Sequence, residues 1–185
     1  MFNVKKIAVA LALTSLPCVS FAAPTITFVG EVTSQTCSVN INGQTNSVVM
    51  LPTTTVTDFG TTLTTGQTAG LTAFTVSVSG CTASSTSTTP ISTKFLGYDV
   101  DATSGTLGNR ETTNAAVGYG IQLMSSASGG TPVMLSGVTS VPGLVLPKDA
   151  TSANYEFGAR YYVINATGAQ AGKISAVAEY TVSYL

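Results

Sequence analysis

The stretch that decides the fold is AEYTVSYL, residues 178–185, at the end of the chain. Tyr180, Val182 and Tyr184 alternate with polar residues, which is the two-residue period of a half-buried β-strand. The alternation continues up to Leu185, so we expect the last residues to form a strand. Chain ends usually fray unless a neighbour holds them. The pattern therefore raises the question of which strand pairs with this one.

Composition predicts an all-β domain. The 185 residues suffice for one domain with its own core. They include seven Lys and Arg, eight Asp and Glu, and no His or Trp. Thr, Ser, Gly, Val and Ala dominate the sequence. Thr and Val favour pleated strands, whereas Gly and Ser favour turns, and no segment of domain length has helical spacing.

The first residues, MFNVKKIAVALALTSLPCVSFAAP (1–24), have a different pattern. A basic start, an apolar run of about ten residues and a series of small residues are typical of a secretory signal peptide. We expect residues 1–22 to be removed. A lipoprotein box around Cys18 is the alternative, but such boxes have Gly or Ala where Pro17 stands. No second apolar run of membrane length follows, so the mature chain is not expected to be membrane-embedded.

Removal of residues 1–22 leaves five basic and eight acidic residues, a formal net charge of −3. This balance argues against nucleic acid as a partner, because no basic patch is available to neutralise phosphates. Two cysteines remain, Cys37 and Cys81. In an exported chain they most simply form one disulfide, although two free buried thiols are the alternative.

Alternating apolar residues and turn signals divide the mature chain into seven to nine strands, with no helix of consequence. The clearest segments are 24–34, 37–42, 48–51, 71–81, 91–98, 117–124, 131–137, 153–165 and 173–184. Short strands at this spacing favour a β-sandwich of immunoglobulin type.

The sequence is poor in residues that perform catalysis or bind metals. Without His, the usual general base and metal ligand are missing. Asp99 and Asp101 are the only acidic residues close together, and a Ca²⁺ site requires several more oxygen ligands. GYGIQL (118–123) lacks the third glycine of a dinucleotide-binding loop. We predict no catalytic residue, no metal and no cofactor, and therefore not an enzyme.

Several stretches, in their order along the chain, resemble the structural pilins of the bacterial chaperone–usher pathway, specifically type 1-like fimbrial major subunits. They are FVGEVTSQTCSV (28–39), Cys81, KFLGYDVDA (94–102), FGARYYV (157–163), Gly172 as the fourteenth residue from the end, and Tyr184 as the penultimate residue. The resemblance extends over residues 23–185.

The resemblance implies an incomplete immunoglobulin-like sandwich that lacks its last strand. The C-terminal strand, with Tyr180, Val182 and Tyr184 and with Gly172 ahead of it, would border an open groove. A periplasmic chaperone would first cover this groove with a strand of its own. At the outer-membrane usher, the N-terminal extension of the next subunit would replace the chaperone strand, a form of β-strand addition.

The resemblance also identifies the donor strand within residues 23–35, ahead of a pilin domain at 36–185. Ile26, Phe28 and Val32 would enter pockets of the preceding subunit's groove, and Gly30 would lie where two backbones pass closely. The alternative is that this segment is an ordinary first strand of its own sandwich.

The predicted function is that of a structural subunit of an adhesive fimbria, exported through the periplasm and assembled at the cell surface as a homopolymer. The alternative within the same class is a minor adaptor or tip-proximal pilin with a binding role. A third possibility is a complete secreted immunoglobulin-like domain, which would fold as a stable monomer without a chaperone.

Overall fold

The computed structural model describes residues 31–184. The predicted signal peptide at 1–22, the residues Ile26, Phe28 and Gly30 of the predicted donor strand, and Leu185 lie outside the described residues. Within 31–184 the chain forms eight β-strands and one short 3₁₀ turn. In chain order these are β1 (Ser38–Ile41), the 3₁₀ turn (Val56–Phe59), β2 (Thr68–Ser79), β3 (Thr89–Gly97), β4 (Tyr119–Ser126), β5 (Gly129–Pro132), β6 (Thr139–Leu146), β7 (Ser152–Val163) and β8 (Ala178–Ser183).

The strands form two antiparallel sheets. One sheet has five strands in the order β1-β2-β7-β4-β5, and the other has three in the order β6-β3-β8. The long pairing of β2 with β7 forms the centre of the larger sheet. The predicted all-β sandwich is confirmed.

The core forms where the alternating strands of the two sheets face each other. Phe74 of β2 and Phe157 of β7 are buried in the larger sheet, and Phe95 of β3 is buried in the smaller one. The Phe95 ring lies edge-on to Phe157 at 5.3 Å and to Phe74 at 6.5 Å between ring centroids. Such aromatic pairs add about 0.5–1.5 kcal/mol each beyond the burial of their area.

Two segments of the smaller sheet differ from the expected strands. β6 was not predicted, because Pro142 and Gly143 interrupt its alternation. Both residues lie on an edge strand, where Pro is tolerated, and next to an irregularity in the pairing with β3. The expected C-terminal strand of 173–184 is shorter in the structure and extends from Ala178 to Ser183.

The predicted disulfide is confirmed: Cys37 is bonded to Cys81, with their Cα atoms 4.1 Å apart. Cys37 directly precedes β1 and Cys81 closely follows β2. Because Ser38 pairs with Ser79 in the ladder between these strands, the disulfide closes the end of a strand pair that is already formed. The bond therefore holds the edge strand β1 on the larger sheet.

Replacing both cysteines with alanine is expected to lower the free energy of unfolding by about 4 kcal/mol, because the bond closes a long loop in the unfolded chain. The two cysteines are 44 positions apart. Urea denaturation measures the difference between the oxidised protein and the Cys37→Ala/Cys81→Ala variant, each carrying a copy of residues 24–35 after Leu185 to fill the predicted groove. A difference below about 1 kcal/mol would contradict this role for the bond.

Candidate functional site: a groove beside the last strand

β8 has one strand neighbour among residues 31–184. It pairs with β3 from Ser92 opposite Ser183 to Gly97 opposite Ala178, and it lies at the edge of its sheet. In an antiparallel pair, alternate residues direct their N–H and C=O groups away from the partner strand. About half of the backbone hydrogen-bonding groups of β8 therefore face the side without a strand.

The opposite side of this opening is formed by Ser47–Leu51, which we call the facing rim. The segment takes part in no ladder with another strand of the described chain, although 48–51 was predicted to form one. Val49 and Leu51 pack against the core, whereas Val48 and Met50 retain 75% and 78% of their accessible area. The rim thus has the alternation of a β-strand without a strand partner in residues 31–184.

A groove with a volume of about 500 Å³ lies between the facing rim and β8. Its floor consists of side chains of the hydrophobic core. The floor and walls include Ile41, Phe74, Phe95, Leu107, Ile121, Leu123, Ala159 and Tyr161, with Ile174–Ala178 and Tyr180 along the side of β8. The core of the sandwich is therefore accessible from this side.

The groove continues into a second cavity of about 470 Å³. The two cavities share Met50, Tyr161 and Ile174. The second is lined further by Phe59, Tyr119 and Gly172. Together they form a channel that follows residues 172–180, mostly apolar in the groove and more polar in the extension, where Glu111 and Lys173 also line it.

Two tyrosine hydroxyls hold the chain on the far side of the channel. Tyr180 of β8 donates a hydrogen bond to the Thr45 carbonyl at 2.6 Å, and Tyr161 of β7 donates one to the Pro52 carbonyl at 3.1 Å. Burial raises the pKa of the Tyr161 phenol, so the phenol remains a donor at neutral pH. The facing rim is thus fixed at both ends by contacts from the sandwich.

The predicted acceptor residues occupy two different places. Tyr180 lines the groove and Gly172 lines its extension. Val182 and Tyr184 pack instead against a separate buried cluster. Val32, the one predicted donor side chain within the described residues, is fully exposed at 102% of its reference area. The acceptor and donor roles of these residues stay predictions.

Sequence reasoning did not identify the facing rim or Tyr161 as part of the groove. The VVML run at 48–51 was recognised as a short strand, but its place opposite β8 depends on the path of the chain after β1. Tyr161 was recognised only as an apolar position of β7.

Gly172 is required by a close approach of two backbones. A Cβ atom at this position would lie 2.4 Å from the Asn114 carbonyl oxygen and 2.6 Å from the Ala115 carbonyl carbon. The neighbouring Lys173 donates to Asn114 O at 2.7 Å and accepts from Ala116 N at 2.8 Å. Gly172 therefore allows the segment before β8 to pair with residues 114–116 at the end of the channel.

Gly172→Ala is expected to destabilise the protein by about 1–3 kcal/mol, because a rigid backbone has to move to admit the methyl group. Gly137→Ala is the matched control, since a Cβ at Gly137 meets no atom within 4 Å. Urea denaturation of the two variants, each carrying a copy of residues 24–35 after Leu185 to fill the groove, provides the comparison. Equal stabilities would contradict the close-approach explanation.

Asp99 and Asp101, the two acidic residues that are close together in the sequence, are engaged separately. Asp99 pairs with Arg110 at 2.5 Å, and Asp101 accepts hydrogen bonds from the Ser104 hydroxyl and amide. The Ser104 hydroxyl, followed by its amide, lowers the pKa of Asp101. No group of three His, Cys, Asp or Glu side chains converges in residues 31–184.

In the same part of the chain, no helix has the length and apolar character needed to cross a membrane.

Comparison with known proteins places this geometry among surface-appendage proteins. The model of the fimbrial protein family matches residues 26–185. The major fimbrial subunit SMF-1 of Stenotrophomonas maltophilia (strain K279a) is 32% identical over 165 residues, which cover 86% of this chain and 91% of that protein.

Two solved structures share the fold. The P pilus rod subunit PapA superposes with a TM-score of 0.57 at 17% identity, over 80% of this chain and 99% of PapA. The CupB6 tip adhesin from Pseudomonas aeruginosa superposes with a TM-score of 0.52 at 22% identity, over 70% of this chain. The match spans 33% of the adhesin chain.

Proposed function

Because the chain belongs to the fimbrial protein family and is a pilin subunit of a surface fimbrium, we propose that it polymerises by donor-strand exchange. In this mechanism, residues 23–35 of one copy fill the groove of the preceding copy. The observation that carries the proposal is the apolar channel beside β8, bordered by a strand edge that lacks a partner among residues 31–184.

The groove suits an extended peptide better than a compact ligand. The free side of β8 offers a row of backbone donors and acceptors, and the core side chains below it offer apolar contacts. A strand added here would bond to β8 through its backbone and direct every second side chain into the channel. This geometry selects a partner with apolar residues two positions apart.

The N-terminal segment has this pattern. Ile26, Phe28 and Val32 are two or four positions apart, with Gly30 between the last two. Burial of three such side chains contributes roughly 5–9 kcal/mol before the costs of ordering. The full exposure of Val32 supports a role outside its own domain.

The same features imply that a chaperone must protect the subunit before assembly. A free strand edge next to exposed apolar surface favours aggregation. A periplasmic chaperone would cover the groove, and an outer-membrane usher would exchange the chaperone strand for the donor segment of the next subunit. Since donor and acceptor are different surfaces of one chain, the contact is heterologous and extends into a filament. The proposed role is that of a shaft subunit present in many copies.

A minor adaptor or tip-proximal pilin with a binding role is the alternative, and the likeness to one third of a tip adhesin supports it. Immunogold labelling of filaments distinguishes the two roles. Labelling along the whole shaft is expected for the proposed role, whereas labelling confined to one end would support the alternative.

Attaching a copy of residues 24–35 after Leu185 through a short linker is expected to give a soluble folded monomer without a chaperone, because the added strand fills the groove. The chain without the copy is expected to aggregate or to be degraded in the periplasm. The control carries Asp at the copied positions of Phe28 and Val32. Circular dichroism and size-exclusion chromatography provide the readout, and a well-folded monomer of the unmodified chain would contradict the proposal.

Phe28→Asp is expected to leave folding of its own subunit intact and to block its insertion behind the preceding subunit, because a carboxylate would be buried in the apolar groove. Thr27→Asp is the matched control, since residue 27 belongs to the opposite face of the donor strand. Electron microscopy counts the filaments formed by each variant. Normal filament numbers for Phe28→Asp would exclude this residue from the donor contact.

A further inference from the structure

Glu31 connects the start of the described chain to the end of β8. Its carboxylate accepts a hydrogen bond from the Ser183 hydroxyl and a second one, at 3.0 Å, from the backbone amide of Tyr184. The ammonium group of Lys94 on β3 lies 3.8 Å from the same carboxylate. We call these four residues the Glu31 junction.

The junction is shielded from solvent. The Glu31 side chain retains 13% of its accessible area and that of Lys94 retains 24%, while Ser183 is buried at 3%. The Ser183 hydroxyl, then the Tyr184 amide and, more weakly, Lys94 lower the pKa of Glu31, and burial opposes them. Glu31 is therefore a carboxylate at neutral pH, and its bonds to Ser183 and Tyr184 are of the stronger, charge-assisted kind.

Glu31 and Val32 face different surroundings. Glu31 is bonded to its own domain, whereas the next side chain, Val32, is fully exposed. Only one peptide bond separates a residue fixed to this domain from a residue that is available to another.

The junction and the groove lie at different parts of the C-terminal segment. The junction holds Ser183 and Tyr184, whereas the two cavities follow residues 172–180. At about 3.3 Å per residue, Tyr184 and Ile174 lie roughly 30 Å apart along an extended chain. Glu31 is therefore held far from the Gly172 end of the acceptor channel.

We propose that the Glu31 junction is the joint between consecutive subunits. Its carboxylate fixes one position within the donor segment to the subunit's own β8, while the adjacent side chain of Val32 enters the groove of the preceding subunit. The shortest connection between the two domains is then the peptide bond between Glu31 and Val32 instead of the segment from Val32 to Cys37. The joint is consequently short and stiff. This inference rests on the proposed donor-strand exchange.

The first test measures hydrogen exchange at the Tyr184 amide in assembled filaments of the mature chain. Glu31→Ala is expected to accelerate this exchange about tenfold, the scale of one lost charge-assisted hydrogen bond. Glu179→Ala is the matched control, because Glu179 lies on the same strand and accepts a hydrogen bond from Tyr98 instead. Unchanged exchange in Glu31→Ala would overturn the proposal.

The second test measures filament persistence length by electron microscopy. Glu31→Ala filaments are expected to form and to have a shorter persistence length than the wild type, whereas Glu179→Ala filaments keep the wild-type value. Ser183→Ala and Lys94→Gln weaken the junction from outside the donor segment, so they decide the result if Glu31→Ala does not assemble. Wild-type stiffness in all three junction variants would overturn the joint while leaving donor-strand exchange intact. Absence of filaments from the wild-type chain would instead contradict donor-strand exchange itself.

Discussion

The free edge of β8 is the constraint on which the rest of the structure depends. Within residues 31–184, this strand has β3 on one side and no strand on the other. Buried backbone N–H and C=O groups require partners, and an exposed strand edge is a template for pairing with another chain. The inner side chains of β8 nevertheless belong to the core of the sandwich. β8 therefore contributes side chains to the core and still has a hydrogen-bonding edge without a strand partner in these residues.

The groove connects stability to assembly. Its floor is formed by the same side chains that hold the two sheets together, including Phe74 and Phe95. A ligand that binds the folded state alone stabilises that state in proportion to its affinity. In the proposed mechanism the donor strand is such a ligand, so each insertion both completes the core of one subunit and links it to the next. The Glu31 junction would also fix the spacing between the domains of consecutive subunits.

The sequence predicted those parts of the fold that depend on local patterns. Strict alternation located β2, β7 and β8. The two cysteines of a chain predicted to be exported indicated the disulfide. The sequence did not predict β6, because Pro142 and Gly143 break its alternation. The strand tolerates these two residues because it lies at the edge of its sheet. The position of the facing rim opposite β8 and the contact of Glu31 with Tyr184 were not predicted either. Residues 31 and 184 are 153 positions apart, and only the path of the chain brings them together.

A cryo-electron microscopy reconstruction of the assembled filament tests the central claim most directly. We expect an additional strand between β8 and the facing rim, antiparallel to β8, with density that continues into the Cys37 region of the next subunit and places Phe28 over the core. A groove filled by a segment of the same chain, or a filament in which the groove stays empty, would contradict the account.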